Sequence, residues 1–419
     1  MKEIGIVICN YNKASYVCKC IETVLASDID NFQVYVVDNA STDTSVEEIQ
    51  KNFGEQVEVI VNQENLGGSG GFNTGIKKVV ESGHKYLMCL DNDVQVTKDA
   101  IRNLYEFLEE HKQVGMVGSK VYHLQEPEYV QQMGLYIHFD NFSAETIFAD
   151  VQDNSQIPDV VYCDTVAACS LMMPVSVVKE VGMMPEDNFI YWDDMEWGYK
   201  VKLAGYQVAA YGKSKVYHEM SANVRRENTF STYYLWRNRM HFFMKYTRKE
   251  QWERMSIYQL RSVFDSFYES MYREEHSQAQ TIMAAFLDAL MLIRGKADPS
   301  KILKNPQKKE RFVALLESTD KIYVEAESLK EQIKCMKPDM QFTEKEEADI
   351  AIRSCEYIMD VKDFSKEYVY VDAYWNVMAD ENDIEVVKEY AYSLQLFFYT
   401  YQGLFLAQME KLRSGNKDE

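Results

Sequence analysis

Positive charge is what this chain lacks relative to negative. Forty-five Lys and Arg stand against 66 Asp and Glu in 419 residues, a formal net charge of −21. A phosphate backbone needs clustered cations, so this balance excludes nucleic acid as a partner. Long apolar runs are also missing: none approaches the ~20 residues of a spanning helix, so the chain is not expected to be integral to a membrane. The amino terminus enters an apolar run at once, with no charged n-region leading into an h-region, and a secretory signal is not expected. Eight cysteines occur without a regular ladder of spacings. Cys9, Cys89 and Cys169 lie in apolar runs, where a thiol serves as a small core hydrophobe, and a reducing cytoplasmic setting follows. The Cys18/Cys20 pair has no second Cys/His pair nearby, which argues against zinc. No internal repeat and no Ser-His-Asp arrangement is visible. What remains is an ordinary globular composition, 46% hydrophobic and 26% charged, long enough for two or three domains.

The chain is organised around Tyr86-Leu-Met-Cys-Leu-Asp-Asn-Asp-Val94. A short apolar run ending in two carboxylates reads as a buried strand that delivers them to its C-terminal end, where open α/β sheets bind ligands. Asp91 and Asp93 can reach one ion only where the strand breaks into a turn, and Asn92 suits a turn. A few hard oxygen ligands suit Mg2+ or Mn2+ held partly through a substrate's phosphates. A plain acidic loop after a strand has the same sequence. Around this stretch, Ile4–Cys9, Phe32–Val37 and Val57–Val61 read as strands, each followed by a polar loop and a helix. Such alternation specifies a mostly parallel sheet covered by helices on both faces. The third loop, Asn65-Leu-Gly-Gly-Ser-Gly-Gly-Phe-Asn73, is expected to precede a helix from about Thr74 and to let backbone approach a bulky ligand.

Beyond Val114 the pattern suggests a sheet that becomes mixed. Phe189-Ile-Tyr-Trp-Asp-Asp-Met-Glu-Trp-Gly-Tyr199 is the densest aromatic and acidic stretch. Carboxylates beside apolar rings lose solvation and are retained where they are used, paired or capping a helix start. On a helix beginning near Trp192, residues 193, 194 and 196 cannot all face one cleft, since successive residues turn by about 100°. From about Asn228 the composition shifts to helical periodicity. The division expected is 1–228, an α/β catalytic domain; 229–296, a helical extension packed on it; and 297–419, a helical C-terminal domain. Between Lys213 and Arg254 ten Lys or Arg face four Glu, a segment to which diphosphates or anionic headgroups could dock. Leu394–Leu406 reads as a buried helix or packing interface rather than a membrane segment.

In their order, Asn10-Tyr-Asn12, Val36-Val-Asp-Asn-Ala-Ser-Thr-Asp43, Asn65–Phe72, Asp91-Asn-Asp93, Trp192–Trp197, His218 and Tyr233-Tyr-Leu-Trp-Arg-Asn-Arg239 resemble the inverting family 2 glycosyltransferases of GT-A fold. Within that family they look most like bacterial galactofuranosyltransferases using UDP-galactofuranose. The resemblance covers residues 1 to about 247. It implies a Rossmann-like GT-A sheet followed by an all-helical region, and Mg2+ or Mn2+ held by Asp91, Asp93 and His218. It implies Asp194 as general base, with Asp193 and Glu196 as supporting acids. It implies a nucleotide site of Asn10, Asp38 on the uracil, Asn65, Gly67, Gly68, Gly70 and Asn92, and contacts to acceptor or diphosphate from Trp192, Arg237 and Arg239. Trp192 and Trp197 are expected to shield Asp194 from water. The partners implied are a UDP-sugar donor and a glycan or lipid-linked glycan acceptor in cell-surface polysaccharide synthesis. Peripheral contact with the inner membrane face and homo-oligomer formation are left open. The rivals are a rhamnosyltransferase using dTDP-rhamnose, an inactive nucleotide-sugar-binding protein and a nucleotidyltransferase. The last would want a glycine-rich basic loop after the first strand, where Asn10–Ser15 offers only Lys13.

Overall fold

The computed structural model describes residues 2–219, 227–305 and 311–415. The chain divides into two units: Met1–Arg225 with Tyr234–Arg248 and Met291–Pro299, and Arg226–Tyr233 with Lys249–Leu290 and Ser300–Glu419.

In the first unit, strands β1 (Ile4–Asn10), β2 (Phe32–Asp38), β3 (Val57–Val61) and β4 (Tyr86–Asp91) alternate with helices α1 (Ala14–Leu25), α2 (Ser45–Phe53) and α3 (Gly67–Glu81). Then come β5 (Val94–Val96), α4 (Ala100–Glu110), β6 (Val114–His123), β7 (Tyr129–Gln132), β8 (Leu135–His138), β9 (Ser143–Thr146), β10 (Val151–Gln152), β11 (Val160–Cys163) and β12 (Ser170–Pro174). Helices α5 (Val175–Val181) and α6 (Asp193–Leu203), strand β13 (Gln207–His218) and helix α7 (Phe230–Tyr246) follow, α7 joining this unit from Tyr234. The main sheet runs β10-β7-β6-β12-β4-β1-β2-β3. Its β4-β1-β2-β3 half is parallel, and β12 lies antiparallel to β4 and β6, which makes the sheet mixed as expected.

Strands of the parallel half are apolar almost throughout because both faces are covered. Ile4, Ile6 and Ile8 face a core shared with Val17 and Ile21 of α1, Ile49 of α2 and Leu104 of α4. Val7, one residue out of phase, faces Phe72, Ile76 and Val79 of α3, with Trp197 and Val201 of α6 in the same core. Asn65–Asn73 is not the loop expected: α3 begins at Gly67, so the glycines form its first turns. They are there for packing. A Cβ on Gly71 would strike Cys9 Sγ and one on Gly75 would strike Val7, so the helix can lie this close to β1 only without side chains there. Gly67, at φ +76°, leaves the Phe189 carbonyl no room for a Cβ.

The second unit holds α8 (Trp252–Tyr272), α9 (His276–Leu290), α10 (Arg311–Glu317), α11 (Glu327–Met336) and α12 (Glu381–Gly415), and its helical character is as expected. It also holds a sheet that the helical reading of 297–419 did not include. Strands β14 (Lys321–Val324), β15 (Gln341–Phe342), β16 (Ile350–Cys355), β17 (Val369–Asp372) and β18 (Val377–Met378) run in the order β15-β14-β16-β17-β18, parallel except for β18. Ile322, Val324, Ile352, Val369 and Val371 bury against Phe312 and Leu316 of α10 and Leu329 and Ile333 of α11. Each strand is six residues or fewer and is flanked by charged residues, too short to show a period of two against helical surroundings.

Candidate active site

The register of the parallel strands brings the polar residues together. Asn10 lies opposite Asp38 across β1 and β2, and Asp91 opposite Cys9 across β4 and β1. From the strand ends a relay of side chains runs: Asn92 Nδ2 donates to Asn10 Oδ1 (2.9 Å), and Asn10 Nδ2 donates to Asp38 Oδ1 (3.1 Å). Asp38 Oδ2 accepts from the Ser41 amide at 2.8 Å. With both oxygens engaged and 1% exposure, Asp38 is a brace of the strand-end turn, and the uracil contact expected of it finds no open face. Asn65 is half-buried, its Oδ1 accepting from the Gly67 amide (2.8 Å) and Asn39 Nδ2 (3.1 Å). Among the glycines named as nucleotide contacts, a Cβ on Gly67 would strike the Phe189 carbonyl and one on Gly70 would strike Leu66. A Cβ on Gly68 would meet only ordinary contacts, Ile190 at 3.7 Å and Asp193 Oδ2 at 3.9 Å.

Strand β13 runs antiparallel to β5 and sets His218 opposite Val94, beside the Asp91–Asp93 turn. Ligand atoms of Asp91, Asp93 and His218 lie within 4.8 Å of one another. His218 Nε2 is 3.3 Å from Asp93 Oδ1 and 4.0 Å from Asp91 Oδ2. Its Nδ1 donates to Gln131 Oε1 at 2.8 Å, which turns Nε2 toward the carboxylates. Two carboxylates and an imidazole form a donor set that fits Mn2+ well and Mg2+ through the oxygens. Lys13 Nζ sits 2.6 Å from Asp93 Oδ2. Burial opposes ionisation of Asp93, but the His218 hydrogen bond and the two cations outweigh it and hold this carboxyl at about 2. Asp91 is pushed the other way, by its enclosed position and by Asp93, an effect that its 38% side-chain exposure tempers. Burial works against a protonated His218, yet its bond to Asp93 and the two acid charges carry it above the ordinary value.

The second cluster opens α6. Asp193 Oδ2 accepts from Ser69 Oγ (2.8 Å) on α3, and Glu196 Oε1 accepts from Lys245 Nζ (2.7 Å) and Tyr246 OH (2.9 Å) on α7. Asp194 points in a third direction, with Oδ1 on its neighbour Met195's amide (2.7 Å) and Oδ2 3.3 Å from the Ala168 amide. The three acids therefore diverge, as the helical phase requires. Burial first and then the charge of Asp193 push Asp194 up to about 7. Ala168 and Cys169 link the clusters, because the next carbonyl, that of Cys169, accepts from the Asp91 amide at 3.2 Å.

Both tryptophans are committed to packing. Trp192 is 8% exposed and packs on Phe242 and Phe243 (5.3 and 5.7 Å), while Trp197 is fully buried with Nε1 on the Gly182 carbonyl. Trp192 thus serves the core rather than an acceptor. Arg237 is also corrected: it is fully buried, with NH1 on the Gly295 carbonyl (2.7 Å) and NH2 on that of Asn188 (3.1 Å), and cannot meet a diphosphate. Arg239 is half-buried, with Nε and NH2 on the Phe142 carbonyl. Together with the Lys245–Glu196 pair, this means the locally basic segment does not present one cationic patch; Arg225 and Arg226 lie outside the described residues.

Sequence reasoning missed Lys13, Gln131, Ser69 and, most consequentially, Asn238. Residues Phe189, Tyr191 and Trp192 all take left-handed φ values of 62–67°. That backbone is costly for non-glycine residues unless its surroundings enforce it. Asn238 does so: its Nδ2 lies 2.8–2.9 Å from the carbonyls of Asn188, Ile190 and Tyr191. The one signal in the sequence was its place between the two arginines of Tyr233–Arg239.

A mixed sheet with a parallel half, helices on both faces, acids at the strand ends and a late strand returning a histidine to them define a GT-A domain. Residues 5–170 match the family model described as Glycosyl transferase family 2. Glycosyltransferase GlyA of Streptococcus pneumoniae is 30% identical over 162 residues, 38% of this chain and 22% of that protein. Galactofuranosyltransferase GlfT2 of Mycolicibacterium smegmatis is 24% identical over 197 residues, 43% of this chain and 30% of that protein. The chain thus spans less than a third of the length of these relatives. Among solved structures, GalNAc-T7 with UDP, GalNAc and Mn2+ superposes with a TM-score of 0.49 at 12% identity, over 60% of this chain and 50% of that one. No helix among the described residues is long and apolar enough to cross a membrane.

Proposed function

We propose that the protein is an inverting glycosyltransferase that moves galactofuranose from UDP-galactofuranose to a hydroxyl of a glycan or lipid-linked glycan. The observation that carries this reading is the pairing of two unlike acid clusters across Ala168–Cys169: a ligand set on one side and a carboxyl with a value about 7 on the other. Transfer from a nucleotide sugar needs both a stabilised diphosphate and a proton acceptor. Asp91, Asp93 and His218 would hold the divalent ion, which supplies the positive charge that a departing diphosphate requires. Gln131 accepts from His218 Nδ1, so Nε2 is the nitrogen that would face the ion. Asp194, ionised near neutral pH, takes the proton from the attacking hydroxyl. A single displacement then inverts the anomeric centre without an enzyme nucleophile. Gly68, at the start of α3 and beside Asp193, would let backbone come close to the donor sugar.

Galactofuranose as the sugar rests on the motif resemblance and on the GlfT2 relatives of two mycobacterial species, both 24% identical. A panel of UDP- and dTDP-sugars, with and without Mn2+, read as free nucleotide released, tests the proposal. UDP-galactofuranose should turn over fastest; product from dTDP-rhamnose alone would make the protein a rhamnosyltransferase.

A further inference from the structure

Helix α12 has one face against the second unit's core and another that is exposed among the described residues. Its inner face is aromatic: Tyr390 and Phe397 each meet Phe264 of α8 at 5.4 Å, and Tyr401 meets Phe286 of α9 at 5.0 Å. On the outer face Tyr392 keeps 67% of its surface, Leu396 50% and Tyr399 89%, and Gly403 has nothing within 4 Å of a built Cβ. No charged residue occurs from Ala391 to Met409. A contiguous exposed apolar stripe on a highly charged protein marks an interaction site.

We propose that this stripe pairs with the same stripe of a second copy of the chain, antiparallel about Tyr399. Three features select that occupant. The spacing 392, 396, 399, 403 is the four-three alternation by which one helix seats side chains between those of another. Symmetry about Tyr399 then sets Leu396 of one copy on the turn holding Gly403 of the other, a large side chain over a position with room, and the contact is self-complementary as a two-fold interface must be. Charge argues against a bilayer: interfacial helices carry Lys and Arg along the polar face, whereas this stretch has none and the chain bears −21. Burying the outer faces of Tyr392, Leu396, Tyr399 and the adjoining Leu404 (41% exposed) in each copy, with the flanking Gln395 and Thr400, covers on the order of 1,000 Å2 in total, at the low end of specific interfaces. An interface of this size is expected to be weak and concentration-dependent.

Sedimentation equilibrium of the full chain across the micromolar range tests this. A dimer that dissociates on dilution is expected, weakened at least tenfold by Tyr399→Glu or Leu396→Glu with the thermal midpoint kept. For orientation, Tyr399→Cys in a Cys335→Ser background, which removes an exposed native thiol, should cross-link to itself on mild oxidation while Tyr392→Cys should not. A wild type that stays monomeric, variants that still dimerise, or self-linking at 392 would each overturn the proposal. So would binding of the monomer to neutral phosphatidylcholine vesicles that Tyr399→Glu abolishes, which would give the stripe to a membrane.

Discussion

The strand-end acids and the helix-start acids of the first unit are separated by two residues of backbone contact, yet they are governed by opposite electrostatics. Asp93 is 8% exposed and strongly acidic, because His218 and Lys13 stand against it. Asp194, half-buried and with only backbone amides on its oxygens, is pushed up to about 7. Enclosure alone therefore does not set a carboxyl's role. A cation beside it makes a permanent anion suited to holding metal, and the lack of one makes a proton acceptor suited to neutral pH.

The largest expected effect comes from removing the acceptor without changing its shape. Asp194→Asn should lower kcat by about a hundredfold to ten-thousandfold, the usual worth of a general base, with nucleotide affinity by calorimetry near normal; equal loss in Asp193→Asn and not in Asp194→Asn would reverse the assignment. Next, Asp93→Ala should cost on the order of a thousandfold in rate, and EDTA should do the same to the wild type. Undiminished turnover in EDTA would remove the metal from the comparison altogether.

A smaller effect sharpens the contrast through pH. With Asp194 at about 7, log kcat should fall with unit slope below about pH 7 and flatten above it, and the Asp194→Asn residual activity should lose that limb. Stability should move the other way. A folded value raised above the unfolded ~4 contributes stability that is full below about pH 4 and is lost as pH rises through about 7. At pH 8 Asp194→Asn should therefore raise Tm slightly while lowering activity, and a lower Tm would show that the ionised carboxylate is better paired than its contacts indicate. The smallest effect tests the clasp: Asn238→Ala should cost about tenfold in kcat, within the range that small displacements of catalytic groups produce, with a little-changed KM for the donor and an altered acid limb. A purely structural role would lower Tm and leave the pH profile of the surviving enzyme intact.

The parallel half of the first sheet was legible because a strand buried on both faces must be apolar throughout, and Ile4–Cys9 or Tyr86–Leu90 can be little else. Asp91, Asp93 and His218 were recognisable by motif order, and β13 does bring His218 back to them. Residues that act through their neighbours were not legible. Asp38 and Arg237 look like ligand contacts in one dimension and are buried and bonded internally, because satisfying a buried carbonyl or amide uses the same chemistry as binding a substrate. The glycines of α3 were misread similarly, as a ligand's clearance rather than a helix's. In the second unit, strands two to six residues long carry too few residues for alternation to emerge.

The three carbonyls gathered by Asn238 also bear on how the catalytic unit can be made. They lie 47–50 residues upstream of the amide that holds them. A chain ending at 228 would contain both acid clusters and most of the sheet, but its Asn188–Trp192 segment would lose the group that keeps it left-handed, and would relax to cheaper backbone. Such a fragment should give a native-like far-UV spectrum and stay inactive, and amide exchange at 189–193 should be fast where the full chain protects it. During synthesis the same dependence makes this segment among the last parts of the first unit to become fixed, since it waits for α7 to leave the ribosome.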